Sequence, residues 1–438
     1  MILNLEPLRW IRENRQQVDV SVQQHLIDKM RWTQYVPCFL HRVIAKLLYY
    51  VMRMPVIVEF ESTFSAQSEA IVSRWRSHNI KVKRQFSHYP GCATRLTLRK
   101  MNHLLRQDGV RKVYLDRKVT ALLDKATPSV NSHRLWNASI TGQGVGIAVI
   151  DTGVAPHPDL TEPRNRIVAF KDFIGHETEP YDDNGHGTHC AGDAAGNGTA
   201  SDGKYRGPAY EADIIGVKVL DKQGSGQLSD LIAGVDWCIE NRDTYNIRIL
   251  SLSVGSPASG RVKDDPLARA VRQAWTSGLV VVAAAGNSGP DGGTITSPGV
   301  VPEIITVGAS DDHDTIRSDD DEVASFSSRG PTPEGVPKPD VVAPGTHVVS
   351  LRANGSYLDK TNIESVVNDD YVSLSGTSMA TPIVAGIAAQ LIQKDADLTP
   401  DDVKTALTET ATSLGDEPNA EGHGLVNASA ALDFLANR

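Results

Sequence analysis

Residues 145–151 read VGIAVID, six small or apolar residues without polar alternation that end on the carboxylate of Asp151. Four later runs share that character: ADIIGVKVL (212–220), IRILSLSV (247–254), LVVVAAAG (279–286) and IITVGAS (304–310). A strand that is apolar towards both faces needs cover on both, and parallel sheets sandwiched between helices supply it. Stretches 229–241 and 265–277 carry apolar residues at helical spacing and fit between these strands. The predicted fold is α/β, a three-layer sandwich around a mostly parallel sheet, in which ligands gather beyond the carboxyl ends of strands. Asp151, Gly255 and Asn287 stand at or just past such ends.

The sequence upstream follows another pattern. From Pro55 it reads strand (PVIVEF), helix (65–78), strand (IKVKRQF), turn, strand (ATRLTLR), helix (KMNHLLRQ) and strand (VRKVYLD). That order is the split βαβ, ferredoxin-like plan of a small α+β domain. Residues 1–54 read as an amphipathic helical extension of no assigned role, with Leu26 and Met30, then Val36, Leu40, Val43 and Leu47, at helical spacing. A linker around 126–129 leads into the α/β part, so the expected division is 1–54, 55–125 and 126–438.

Composition bounds the function. With 40% hydrophobic and 22% charged residues, the chain reads as a soluble globular enzyme and not a fibre or a disordered tail. Residues 1–125 hold 22 Lys+Arg against 10 Asp+Glu, a net of +12, and the rest holds 22 against 43, a net of −21. The basic residues are spread through foldable sequence with no Lys/Arg run carrying interleaved aromatics, which argues against nucleic acid and for docking of one part on the other. No uncharged stretch is long enough for a membrane span. The start, MILNLEPLRWIRENRQQ, lacks the features of a secretory leader, and Cys38, Cys92, Cys190 and Cys238 show no metal or disulfide spacing. Both point to a cytoplasmic chain with free thiols.

Peptide hydrolysis by serine needs a nucleophile, a base, a carboxylate to hold the base and donors for the oxyanion. Each has a candidate. Asp151 ends an apolar strand, where a buried carboxylate is costly unless paired, although such residues often serve only as caps. In NGHGTHCAG (184–192), His186 opens a helix between glycines. His189 competes with it, and the two beside Asp182 and Asp183 admit a metal reading, against which no HExxH or third spaced ligand follows. In SGTSMATPIVAGIAAQLI (375–392), Ser378 stands at a helix N-terminus, where N–H groups favour negative charge. Pro382 in the same helix implies a local bend. In AAAGNSG (283–289), Asn287 places an amide in a turn after a buried strand.

Together VIDTG, HGTHCAG, AAAGN and GTSMATP resemble the subtilase family, in the family's order Asp, His, Ser. The resemblance runs from about Thr141 to Ala431. It implies a serine endopeptidase in which Ser378 attacks, His186 relays the proton, Asp151 holds the imidazole and Asn287 binds the oxyanion. It further implies an inhibitor-like prosegment over 55–125 that docks on the protease, removal of that prosegment by self-cleavage, and a monomer acting on protein and peptide substrates without membrane or nucleic acid. Gly224, Ser225 and Gly226 with Ser253, Val254 and Gly255 match the segments that sandwich an extended peptide. Ala284 and Thr296 match the first specificity pocket, which lacks an acid here, so apolar or aromatic side chains are expected there. Asp159 matches a calcium ligand of relatives, although the partner loop GNGTASDGKYRG (196–207) departs from the family pattern. Two acidic clusters, 311–314 and 318–322, are further candidates for calcium or else solvated loops. Other functional classes are a pseudoprotease that only binds peptides and an inhibitor acting through the basic half.

Overall fold

The computed structural model describes residues 10, 12–15, 17–19, 22–23, 26, 46, 49–61, 75, 80–86, 89–106, 109–116, 118–121 and 129–437, less 259 and 314–319. The chain forms two compact units, Met1–Arg117 and Lys118–Arg438.

In the first unit, β1 (Arg53–Phe60), β2 (Val82–Gln85), β3 (Gly91–Thr97), α1 (Leu98–Leu104) and β4 (Val110–Leu115) form a sheet in the order β2-β3-β1-β4, every pair antiparallel. This is the ferredoxin-like order. The helix read over 65–78 lies outside the described residues except for Trp75, which is buried with Phe60, Leu98 and Met101. The N-terminal residues are not a separate extension where they are described: Trp10, Val18, Val22 and Leu26 belong to the same core. Gln17 and Asp19 exchange backbone hydrogen bonds with Val113 at 2.9 Å each, which caps the otherwise open edge of β4. Met30, Val36, Leu40, Val43 and Leu47 lie outside the described residues.

The second unit begins with β5 (Lys118–Ala121), followed by β6 (Gly146–Asp151), β7 (Ile167–Asp172), α2 (His186–Ala195), β8 (Asp213–Lys218), β9 (Ser225–Gln227) and α3 (Leu228–Glu240). Then come β10 (Ile247–Leu252), β11 (Val254–Pro257), α4 (Pro266–Thr276), β12 (Val280–Ala284), β13 (Thr296–Ser297), β14 (Ile305–Asp311), β15 (Glu322–Val323), β16 (Val341–Pro344) and α5 (Thr377–Lys394). The main sheet runs β15-β14-β12-β10-β6-β8-β7, with β16 also on β14, and every pair is parallel except β14 with β15. The five apolar runs read from the sequence are β6, β8, β10, β12 and β14. Neither β7 nor β16 was among the expected strands, and β7 is an edge strand whose Val168 is exposed.

Helices cover both faces. A Cβ on Gly234 of α3 would stand 3.5 Å from Ile150, and one on Gly187 of α2 would stand 3.0 Å from the Cβ of Asp151. Successive residues of a strand point to opposite faces, so α2 and α3 lie on opposite sides of β6. Strand order reverses at β6: the chain leaves it for β7 and β8 on one side and returns as β10 on the other. Asp151 and Ser253 stand at the carboxyl ends of these two neighbours, the place where such sheets bind ligands.

Candidate active site

Asp151 is the last residue of β6 and His186 the first of α2, and both are fully buried. Nδ1 of His186 lies 2.7 Å from Oδ1 of Asp151, which also accepts the N–H of Thr152 at 2.7 Å. Residue 187 has to be glycine for this approach, since a Cβ there would meet the backbone carbonyl of Gly153. Burial disfavours the imidazolium, but the adjacent Asp151 carboxylate outweighs it and holds the His186 pKa well above its ordinary value.

Asp182 fixes this junction. Its Oδ1 accepts from Thr152 Oγ1 (2.9 Å), Asn184 N (3.1 Å) and Gly185 N (2.8 Å), and its Oδ2 from Thr188 N (2.9 Å) and Oγ1 (2.7 Å). The sequence marks Asp182 only as a neighbour of histidines, because Thr152, which it joins to the start of α2, lies 30 residues away. Asp183 instead pairs with the buried Lys218 at 2.6 Å. His189 is held by Asp193 (2.9 Å) and the Val372 carbonyl (3.3 Å). The metal reading of the two histidines with Asp182 and Asp183 therefore fails, as each group is engaged elsewhere.

Ser378 lies on the first turn of α5, whose N-terminus follows Gly376. Its Oγ donates to the carbonyl of Ser253 at 3.3 Å, and Ser253 Oγ donates back to the carbonyl of Ser378 at 2.6 Å. That second bond has a cause in the sequence. Proline has no N–H, so Pro382 leaves the carbonyl four residues earlier, Ser378, without its helical partner, and Ser253 fills the place. Asn287 accepts from the N–H (2.9 Å) and Oγ1 (3.0 Å) of Thr377 through Oδ1. Both partners are donors, so the oxygen of the amide faces α5 and its NH₂ faces the other way.

Cys190, four residues after His186, packs against the ring: Sγ is 3.8 Å from Nδ1 and 3.9 Å from Nε2. Burial pushes its thiol up to about 12, so thiolate is scarce and reaction slow. Mercurials are expected to inactivate the protein slowly, and Cys190→Ala to be resistant. Equal rates for the two proteins would place the reactive thiol elsewhere, Cys92 and Cys238 being the other described free cysteines.

The residues expected to hold a peptide form a second sheet, β13-β11-β5-β9. β5 lies between the other two as an antiparallel partner of both: Val119 opposes Gly226 and Thr120 opposes Ser225, while Thr120 also opposes Gly255 and Ala121 opposes Val254. Gly224 makes the turn before β9 with φ +72°. Ala284 ends β12, fully buried, and Thr296 of β13 donates to the Ala285 carbonyl at 3.1 Å.

Asp159 does not fit calcium. Its Oδ1 accepts from Ala200 N (2.8 Å), its Oδ2 from Gly198 N (3.1 Å) and Tyr371 OH (2.7 Å), and the Arg166 guanidinium donates to its backbone carbonyl. A calcium cage turns about six to eight oxygens inward, whereas here N–H and O–H donors face the carboxylate beside a fixed cation. The altered loop 196–207 thus satisfies a buried charge with its own amides. Of the acidic clusters, 314–319 lie outside the described residues. Asp312 and Asp321 are buried, not solvated, and the Asp321 carboxyl is raised to about 6 by burial first and then by Asp312 and Asp320. Among the described residues, the only three ligand groups that converge are Asp151, His186 and Cys190. No described helix is long and apolar enough to cross a membrane.

Comparison with known proteins gives concordant results. The sequence profile described as the Subtilase family matches residues 142–425. The chain is 48% identical over 435 residues to serine protease AprX of Bacillus subtilis, covering 96% of this chain and 97% of the relative. It is 39% identical over 295 residues to subtilisin Savinase of Lederbergia lenta, covering 67% and 93%. Fervidolysin from Fervidobacterium pennivorans, described as a keratinolytic enzyme related to subtilisin, superposes with a TM-score of 0.68 at 23% identity, over 87% of this chain and 61% of that one.

Proposed function

The chain belongs to the subtilase family and is a subtilisin-like serine endopeptidase, and from that premise we propose that Asp151, His186 and Ser378 are its catalytic triad, with Asn287 in the oxyanion hole. Ser378 Oγ attacks the scissile carbonyl while His186 takes its proton and returns it to the leaving amine. Asp151 keeps the imidazole oriented and stabilises its charged form. The amide NH₂ of Asn287 and the N–H of Ser378 at the start of α5 bind the oxyanion. The substrate enters as an extended strand between β9 and β11, and its leading side chain enters the pocket beside Ala284 and Thr296. With no acid at those two positions, apolar and aromatic side chains are preferred. The first substrate is the chain itself, whose N-terminal part acts as a prosegment. The observation that carries this reading is the 2.7 Å pairing of His186 with Asp151 one strand away from Ser253 and Ser378.

The pH profile on a peptide substrate with an apolar leading side chain tests it. Only the neutral imidazole accepts a proton, and a raised pKa means that the neutral form dominates only at higher pH. Activity should therefore fall as pH drops through the raised pKa, with the midpoint of the acid limb in kcat/KM above the ordinary histidine value of about 6.5. Asp151→Asn should lower both the plateau and the midpoint. A wild-type midpoint at or below that value contradicts the role of Asp151.

A further inference from the structure

Two carboxylates meet at the carboxyl end of β14. In the antiparallel pair of β14 and β15, Ser310 stands opposite Val323 and Asp311 opposite Glu322. The next pair outward in that register is Asp312 with Asp321, and residues directly opposite each other point to the same side. Both are buried, with 5% and 7% of their surface exposed. Asp311 has donors in the Thr346 hydroxyl at 2.7 Å and the His313 N–H at 3.1 Å. Asp321 differs: both of its carboxylate oxygens are buried, and among the described residues neither accepts a hydrogen bond.

A buried carboxylate without a partner is costly, and a like charge directly opposite raises the cost. A proton does not settle the pair. Burial first, then Asp312 and Asp320, raise the Asp321 carboxyl to about 6, so it is mostly ionised at neutral pH. His313 acts in the opposite sense, but it is exposed and shared with Asp311 Oδ1 and Glu322 Oε1, at 3.9 and 3.8 Å. We propose that Asp312 and Asp321 hold a hard divalent cation of the calcium class at the turn between β14 and β15. The donors are oxygens only, which suits calcium, and calcium tolerates an irregular set completed by backbone carbonyls, water and the more exposed carboxylates of Asp311 and Asp320. At Asp159 the chain's own amides fill that role; at Asp321 no donor does.

The cation would anchor the segment that shapes the turn carrying Asn287. Just after Asp321, the Ala324 N–H donates to the Ala309 carbonyl at 3.0 Å, and the Phe326 carbonyl accepts from Gly289 at 2.8 Å. Ser328 donates its N–H to the Gly286 carbonyl at 2.8 Å, and its Oγ accepts from Ser288 N at 3.0 Å. Residues on both sides of Asn287 are thus held by the strand that leaves the proposed site.

Calorimetry and thermal unfolding with calcium test this on the full chain carrying Ser378→Ala, which suppresses autolysis, after treatment with EDTA and dialysis at neutral pH. One calcium per chain is expected, with Tm raised by at least about 2 °C at calcium a hundredfold above its Kd. Adding Asp321→Asn is expected to abolish both responses and, in EDTA, to melt at or above its parent, since the change keeps the shape and removes the repulsion. Asp312→Asn is expected to weaken binding at least tenfold. Absence of calcium binding, or binding undiminished in both variants, overturns the site. Asp321→Asn melting below its parent in EDTA overturns it as well, because the carboxylate would then be satisfied by the chain. Stabilisation on acidification without calcium binding would put a shared proton in place of the cation, with the same consequence.

Discussion

Ser378→Ala is expected to stay full length after purification and to leave peptide substrates intact. The substitution removes one oxygen from a buried site and leaves the backbone that opens α5 in place, so a folded protein should result. With Oγ gone, no ester can form, and what remains is the binding groove and the oxyanion donors. In subtilisin the loss on removing the nucleophile is about 2 × 10⁶ in kcat, a figure known for that enzyme and not computed from this structure. A loss of similar order is expected here. The groove should survive the change, because β9 and β11 offer backbone groups and not the serine hydroxyl. In the uncut variant β5 fills that groove, so turnover is expected to disappear and an added competitive peptide to bind only weakly by calorimetry. Turnover above about one hundredth of wild type would move the nucleophile to another residue.

Asn287→Ala is expected to lower kcat by about 10²–10³ with little change in KM, again a size taken from subtilisin. The split matters more than the size. The amide oxygen is held by the Thr377 N–H and hydroxyl at 2.9 and 3.0 Å, so the side chain is pre-aimed. A donor aimed where charge develops strengthens its bond in the transition state and contributes little to ground-state binding. A rise in KM at constant kcat would show Asn287 to be a substrate-binding residue. Because the same oxygen anchors the start of α5, thermal unfolding of the variant should be measured beside its kinetics. Loss of hydrogen bonds to a buried backbone N–H is expected to cost about 1–3 kcal/mol.

The legible parts of the fold are those where burial dictates composition. Strands β6, β8, β10, β12 and β14 are covered on both faces, so their sequences are continuous apolar runs. Edge strand β7 breaks that rule, with Val168 exposed and the next three residues only half-buried, and β16 is a short segment ending at Pro344. In the site, Asp151, His186, Ser378 and Asn287 can be read because each sits in a glycine-rich local motif. The relations that position them are not local. Asp182 ties Thr152, 30 residues back, to the start of α2, and Ser253 meets Ser378 across 125 residues of sequence because Pro382 leaves a carbonyl open. The mismatch of Asp159 with calcium was foreshadowed by the altered loop 196–207, yet only the folded chain shows the amides of Gly198 and Ala200 turned onto the carboxylate. Likewise, sequence pattern sets Trp10 and Val18 apart as an extension, and packing joins them to the core of the first unit.

If one activated serine does the chemistry, covalent labelling should single it out. Wild-type protein is treated with a fluorophosphonate, residual activity is followed, and the adduct is mapped by peptide mass spectrometry. One adduct per chain is expected, on Ser378, formed in step with the loss of activity, slowed in His186→Ala and absent in Ser378→Ala. An adduct on any other residue, or full activity in protein labelled at Ser378, would contradict it.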